Sequence, residues 1–318
     1  MTEAEAARWL QERDNFLILT HTRPDGDTLG CAAALCAGLK KLGKTAWVAP
    51  NGGVTATYQG DITPYFAPDG YAFDHIVAVD IASEGLFRPE MEGYKGKVAL
   101  CIDHHPSNER YAAHLCLDPT AAACGEIIFR ILHHHLHVMD EEIARAVYLA
   151  VSTDTGCFVY NNTTPETHRI AGAVMEYGDF AKEINKRCFQ TKSRKRIALE
   201  SRLLNGAVYY HQEQVVIGAV SCADMEAVQA GESDAEELSS LLRLVEGVKA
   251  AATLRELSPG KWKLSLRTDA DYLNATRTCA ALGGGGHAAA AGATLRGSFD
   301  EQQARALVLQ AIEQSLTV

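Results

Sequence analysis

Phe16-Leu-Ile-Leu-Thr-His21-Thr-Arg-Pro-Asp25-Gly-Asp27 is the stretch that decides the fold. Its short apolar opening describes a strand buried on both faces. Arg23-Pro-Asp-Gly then breaks the strand. Residues 27–42 carry Ala and Leu on one helical face, and Gly43 stops them. A buried strand feeding a helix through a tight turn is a βα unit, and the chain repeats it. Thr45-Ala-Trp-Val-Ala, His75-Ile-Val-Ala-Val and Lys97-Val-Ala-Leu-Cys-Ile read as further strands, with helices over 124–137 and 141–152. Nearly continuous apolar strands alternating with helices predict a doubly wound, mostly parallel α/β sheet, with ligands at the carboxyl ends of its strands.

Beyond residue 185 the texture changes. Lys186 to Arg202 holds seven basic residues and one acid, Glu200, and reads as a helical connector. Ala207-Val-Tyr-Tyr and Val215-Val-Ile-Gly-Ala-Val form one expected hairpin, and Ala250–Leu257 with Lys261–Arg267 a second. An amphipathic helix over 234–246, a Gly-rich turn at 283–286 and a helix near 299–315 complete the reading. The expected architecture is α/β in residues 1–185, a basic connector over 186–205, and a smaller α+β domain over 206–318, with a cleft between the domains.

A length of 318 residues suits two domains, and 47% hydrophobic with 22% charged residues excludes a disordered or collagenous chain. Apolar runs break within about ten residues, short of the ~20 that span a bilayer, and no basic-then-apolar leader opens the chain. Nine cysteines, none spaced as CxxC, argue for thiols in a reducing cytoplasm. A formal charge of −10 argues against long duplex nucleic acid held on a broad basic face.

Chemistry concentrates at the strand ends. His21, Asp25 and Asp27 follow the first strand; the turn lets His21 and Asp25 converge while Asp27 points to a neighbouring position. Alone, the segment equally describes an Asp-capped helix after a Pro-Asp-Gly turn. Asp80 follows the third strand and alone would merely open a loop. Cys101-Ile-Asp103-His104-His105-Pro106 follows the fourth, where one histidine can ligate while its neighbour faces substrate. Asp154, in Ser152-Thr-Asp154-Thr-Gly156, ends an apolar helix, a place where the dipole alone disfavours an acid. Together these residues lie along one sheet edge. Carboxylates mixed with imidazole suit Mn²⁺ or Mg²⁺, and the oxygens suffice for two ions with a shared Asp between them.

In the second half, Leu282-Gly-Gly-Gly-Gly286-His287 follows Arg267 and Asn274. Glycines let backbone N–H groups approach an anion, His287 can donate to phosphate, and Arg267 can hold a phosphate or base bidentately. His133-His-His-Leu-His137 reads as histidines at the end of a helix rather than a metal tract. The 186–202 run reads as solvated, with Arg194 or Arg196 the alternative candidates for reaching substrate phosphates.

This pattern resembles the DHH phosphoesterase superfamily. The carriers are His21-x-x-Pro-Asp25-Gly-Asp27-x-x-Gly30, Asp80, Asp103-His104-His105 and Asp154. Gly284-Gly-Gly-His287 with Ala290-Ala-Gly292 resembles the DHH-associated C-terminal domain. Within the superfamily, length and layout are similar to the nanoRNase/pAp phosphatase group. The resemblance assigns His21, Asp25 and Asp80 to one Mn²⁺, and Asp27, Asp80, His104 and Asp154 to the second. Asp103 would orient a ligand histidine, and His105 would touch the scissile phosphate or protonate the leaving oxygen. Arg267, Asn274, Gly285, Gly286 and His287 would hold the substrate's far phosphate and base. Cys31 departs from the Ser frequent at its position, a change expected to touch helix packing more than chemistry.

The activity so implied is hydrolysis of very short single-stranded oligoribonucleotides, and of 3′-phosphoadenosine 5′-phosphate (pAp), by a metal-activated hydroxide attacking phosphorus. A cyclic- or linear-dinucleotide phosphodiesterase is the alternative on the same fold. The glycine-His motif counts against an inorganic pyrophosphatase, and the complete ligand set against a non-catalytic nucleotide-binding regulator. No membrane partner is expected, and a homodimer is compatible with the sequence.

Overall fold

Phe16–Leu19 forms strand β1, every residue buried, and it sits second in a five-stranded parallel sheet. Its companions are β2 (Ala46–Val48), β3 (His75–Val79), β4 (Val98–Asp103) and β5 (His114–Leu117), in the order β2-β1-β3-β4-β5. In this doubly wound order the chain reverses direction of growth between β1 and β3, and the crevice for ligands opens beyond their carboxyl ends. β5 is not in the sequence reading. It is a partly exposed edge strand, so it lacks the continuous apolar run that marks its neighbours. The computed structural model describes residues 1–235 and 238–316, and the chain divides into one unit spanning Met1–Thr191 and a second from Lys192 onward.

In the first unit the helices are α1 (Glu3–Gln11), α2 (Gly26–Lys41), the single turn α3 (Gln59–Ile62), α4 (Cys124–Phe129), α5 (Glu141–Asp154), α6 (Pro165–Met175) and α7 (Ala181–Phe189). Helix α2 is buried from Gly26 to Leu39 and crosses α5 closely. At Gly30 an added Cβ would lie 2.5 Å from the Ala146 carbonyl, so only glycine lets the two backbones meet there. This close crossing holds the start of α2 against the end of α5. The helix expected over 124–137 is α-helical only to Phe129 and continues as a π-helix over Arg130–His135.

The basic run is not one continuous connector. Helix α7 ends at Phe189, and α8 (Arg194–Asn205) starts afresh with Ser193 as its cap. Much of its charge is internally paired: Arg187 grips Asp61 with two nitrogens at 2.7 and 3.0 Å, and Lys192 and Arg196 both bond Glu200.

The second unit also contains α9 (Cys222–Ala227), the single turn α10 (Leu238–Leu241), α11 (Ala275–Ala281) and α12 (Glu301–Leu316). Its sheet comprises β6 (Val208–Tyr210), β7 (Val215–Val220), β8 (Ala250–Ser258), β9 (Lys261–Thr268), β10 (Gly285–His287) and β11 (Ala290–Thr294), ordered β10-β11-β9-β8-β7-β6. Both expected hairpins are present. Trp262, Leu264 and Leu266 pack on one face with α12, while Val216, Val220 and Ala251 pack on the other with Leu199, Leu203 and Leu238. Two features differ from expectation. The described part of 234–246 is α10 flanked by 3₁₀ turns, residues 236 and 237 lying outside the described residues. The glycine run is part turn and part edge strand: Gly283 turns at φ +78° as expected, whereas Gly285 and Gly286 are extended. Its Gly286, at φ +145°, runs so close to β11 that a Cβ would lie 2.6 Å from the Ala290 carbonyl.

Candidate metal centre

Asp25 is the N-cap of α2, which begins at Gly26, one residue before the expected start. Its Oδ1 accepts from the N–H groups of Asp27 (3.1 Å) and Thr28 (3.2 Å), which leaves Oδ2 turned toward His21 Nε2 at 3.6 Å. Asp80 stands just past β3 with a left-handed φ of +57°, fixed by its N–H donating to the Ile102 carbonyl at 2.9 Å. Its two oxygens divide. Oδ2 lies 3.8 Å from His21 Nε2, and Oδ1 lies 3.6 Å from His104 Nε2. His104 Nε2 is also 3.6 Å from Asp154 Oδ2 and 3.9 Å from Asp27 Oδ2. Two donor groups thus meet at Asp80: His21, Asp25 and Asp80 on one side, and Asp27, Asp80, His104 and Asp154 on the other.

These side chains are pre-aimed. His104 Nδ1 lies 3.1 Å from the Ala121 carbonyl; it must carry the hydrogen there, so the lone pair falls on Nε2. Asp27 is buried at the amino end of α4, where its carboxylate accepts from Cys124 N (2.7 Å) and Gly125 N (2.9 Å). The Cys31 thiol also donates to Asp27 Oδ1 at 3.2 Å. This corrects the expectation for Cys31: it touches Asp27 of the donor cluster, and burial keeps it protonated as a donor. Asn162 links Asp154 to the segment before α4, its amide donating to the carbonyls of Asp154 (3.1 Å) and Ala122 (2.9 Å).

The electrostatics call for cations. Burial, then the repulsion of Asp154 and Asp25, pushes the Asp27 carboxyl well above the usual carboxylate range. Burial and the charge of Asp27 do the same to Asp80, and burial also raises Asp154. Asp80 Oδ1 is buried without a hydrogen-bond partner. An orphaned carboxylate oxygen facing an imidazole lone pair and two further acids fits a divalent ion and little else. In each of three sets, Asp80-His104-His105, His21-Asp25-Asp80 and Asp27-His104-Asp154, the donor atoms lie within 4.8 Å of one another. Among the described residues, His133–His137 forms no such set.

Asp103 departs from its expected part. Its Oδ1 accepts from His105 Nδ1 at 2.8 Å, while its neighbour His104 makes only a backbone contact to it, the His104 N–H donating at 2.8 Å. Asn108, absent from the sequence reading, donates to Asp103 Oδ2 at 2.6 Å. Against the cost of burial, the bonds from His105 and Asn108 hold the Asp103 carboxyl below its usual range, and the bond to Asp103 in turn raises His105. His105 is the more exposed of the pair.

In the second unit, Ala290 pairs with both Arg267 and His287, so these two side chains flank it on one row of the sheet. The Ala275 N–H bonds the Ala288 carbonyl at 2.7 Å and brings Asn274 to the same end. Asn274 also caps α11, its Oδ1 accepting from Arg277 N, which leaves its amide hydrogens to meet a ligand. The exposed Gly285-Gly286-His287 strand is tied to α11 by Thr276 Oγ1, which donates to the Gly286 carbonyl at 2.9 Å.

Comparison with known proteins identifies the family and the fold. The family model described as "DHH family, N-terminal domain" matches residues 15–151, and that of the DHHA1 domain matches residues 219–317. The chain is 32% identical over 308 residues to the bifunctional oligoribonuclease and PAP phosphatase NrnA of Thermus thermophilus, covering 94% of this chain and 90% of that one. It is 24% identical over 312 residues to the protein of the same description in Bacillus subtilis, covering 94% and 95%. An exopolyphosphatase-related protein of Bacteroides fragilis shares the fold with a TM-score of 0.87 at 23% identity, over 98% of this chain and 96% of that one. RecJ of Thermus thermophilus, solved with Mn²⁺, superposes with a TM-score of 0.55 at 15% identity, over 99% of this chain and 55% of RecJ.

Proposed function

The chain belongs to the DHH phosphoesterase family, and from that premise we propose that it hydrolyses very short oligoribonucleotides to mononucleotides and pAp to AMP. The observation that carries the reading is the divided Asp80 carboxylate, one oxygen toward His21 and the other, unpartnered, toward His104. We assign one divalent ion to His21, Asp25 and Asp80, and a second to Asp27, Asp80, His104 and Asp154. Mn²⁺ is the ion of choice, as in the RecJ structure, with Mg²⁺ the alternative. Ions held there supply Lewis-acid stabilisation of phosphoryl charge and a more acidic water at neutral pH.

The chain's own residues do the rest. Asp103, ionised, accepts the Nδ1 hydrogen of His105 and leaves Nε2 as its free edge. With its pKa raised, His105 keeps a proton there to hydrogen-bond the scissile phosphate or give to the leaving oxygen. Asn108 locks Asp103 from behind. In the second unit, Arg267, the Asn274 amide and Gly285-Gly286-His287 are assigned to the substrate's remote phosphate and base, which fixes its orientation. Among the described residues no helix is long and apolar enough to cross a membrane.

The test is product analysis with Mn²⁺ on pAp, a 5′-phosphorylated RNA dinucleotide, a longer RNA, cyclic di-AMP and pyrophosphate, with His104→Ala beside the wild type. Turnover of the dinucleotide and pAp, lost in the variant, supports the assignment. Preference for cyclic di-AMP moves the protein to signalling-nucleotide hydrolysis, and no metal-dependent turnover sinks the enzymatic reading.

A further inference from the structure

Helix α5 ends on Asp154, and the chain that leaves it takes an uncommon path. Gly156, Cys157 and Phe158 lie in succession in the left-handed region, at φ +56°, +57° and +68°. A Cβ disfavours that region, so two of the three residues are held there against their preference. The restraints are specific. The Cys157 N–H donates to the Ser152 carbonyl at 2.7 Å and the Phe158 N–H to Thr155 Oγ1 at 3.2 Å, and the Phe158 ring stacks on His168 with centroids 5.4 Å apart. The Tyr160 N–H returns to the Thr155 carbonyl at 3.0 Å, and the Asn162 amide ties the far end of the loop to the Asp154 carbonyl at 3.1 Å.

This turn fixes the place of one ring. A Cβ built on Gly156 would lie 2.4 Å from Tyr160 Cζ, 2.5 Å from Cε1 and 2.7 Å from Cε2. The three nearest atoms are carbons on both sides of the ring axis, so a face of the ring, and not its edge, covers the glycine. Gly156 stands two residues past Asp154, a span of at most about 7 Å, which keeps the ring near the donor cluster. The other side of the loop is open: Tyr160 is 58% exposed and Val159 beside it 78%. In the first unit these are the only large hydrophobic side chains more than half exposed among the described residues. Single apolar side chains scattered on a surface need no explanation. Two neighbours presented by a strained loop that begins and ends at one acid of the donor cluster do.

We propose that Tyr160 is a stacking platform for one nucleobase of an oligoribonucleotide, that of the nucleoside whose 5′ oxygen carries the scissile phosphate. The inference rests on the reading of the protein as an oligoribonucleotide hydrolase. The phosphate removed from pAp bears no second nucleoside. In a dinucleotide it bears one, and none of the residues assigned to substrate so far meets that base. An aromatic face accepts any base, because every base has a π-face, and this suits a hydrolase of mixed sequences. Tyr160 thus sets the preference for oligonucleotides over pAp.

The test is steady-state kinetics of the full-length protein with Mn²⁺ on pAp, on the 5′-phosphorylated dinucleotide pApA, and on the same dinucleotide with no base on its 3′-terminal sugar. In the wild type, kcat/KM for pApA should exceed that for the one-base analogue by about tenfold or more, the order expected of a stacked base. Tyr160→Ala should erase that difference through KM while pAp turnover stays nearly the same. Tyr160→Phe, which keeps the ring face, should retain it. Equal values for the two dinucleotides in the wild type, or an undiminished difference in Tyr160→Ala, overturns the platform. So does an equal loss on pAp and pApA, which would mean that the ring shapes the metal centre and meets no base. Turnover without base dependence defeats the platform alone, whereas a wild type that turns over neither pAp nor pApA defeats the hydrolase reading and the platform with it.

Discussion

Under the proposed function, Asp80 and the Asp103–His105 pair divide the labour of the site. Asp80 presents one oxygen to each donor group, so Asp80→Asn removes charge from both while keeping shape. Bound metal should fall from two equivalents to one or none by elemental analysis, with turnover down at least ~100-fold, since Lewis-acid stabilisation of a phosphoryl group amounts to several kcal/mol. Asp103 acts through His105, whose pKa it raises by accepting the Nδ1 hydrogen. Asp103→Asn should therefore lower the His105 pKa and draw the alkaline limb of the pH–rate profile to lower pH. The accompanying loss in kcat should be about 10²-fold or more, as for a mispositioned general acid. An unshifted limb would remove His105 from that role. The acids and histidines were legible in the sequence because each stands where an apolar strand or helix ends. The groups that aim them were not. The Ala121 carbonyl and the N–H groups of Cys124 and Gly125 are backbone atoms, which leave no trace in residue type, and Asn108 is one asparagine among several in loops.

At the scale of elements, the centre depends on α2 crossing α5 without a side chain between them. Gly30→Ala puts a methyl 2.5 Å from the Ala146 carbonyl and 2.9 Å from the Ala150 Cβ, and neither neighbour is the far end of a flexible side chain. Overpacking of this kind costs about 1–3 kcal/mol. Urea denaturation should show that loss, and metal affinity should fall with it because Asp27 and Asp154 are carried by the two separating helices. Strands β1, β3 and β4 were readable as nearly unbroken apolar runs. Where an element's face is settled by tertiary pairing, reading failed. β5 is a half-exposed edge, and Gly285 and Gly286 look like part of a turn until β11 and Thr276 of α11 hold them extended. The π-helical stretch at Arg130–His135 follows a sound helical pattern, and nothing in its residues announces the wider turn.

For the whole molecule, the metal centre is a liability until it is filled. Asp27, Asp80 and Asp154 have raised pKa values in the fold. Their contribution to stability is thus fully present below the unfolded value of about 3.9 and is lost as pH rises through the folded values. In EDTA, raising the pH from 5.5 to 7.5 should lower the melting temperature so far as these groups govern it. Mn²⁺ should raise the melting temperature more at pH 7.5 than at 5.5, because binding displaces protons. Equal stabilisation at both values would count against protonated carboxyls in the metal-free protein. The donors also lie far apart in the chain, from His21 at the first strand end to Asp154 at the end of α5. On a ribosome adding about 5–20 residues per second, His21, Asp25 and Asp80 are all made seconds before Asp154, and the group of Asp27, Asp80, His104 and Asp154 closes only once α5 has docked. That group is therefore the last to form, and its acids are drawn together by the apolar core and by backbone N–H groups such as those of Cys124 and Gly125, with protons where an ion would later sit.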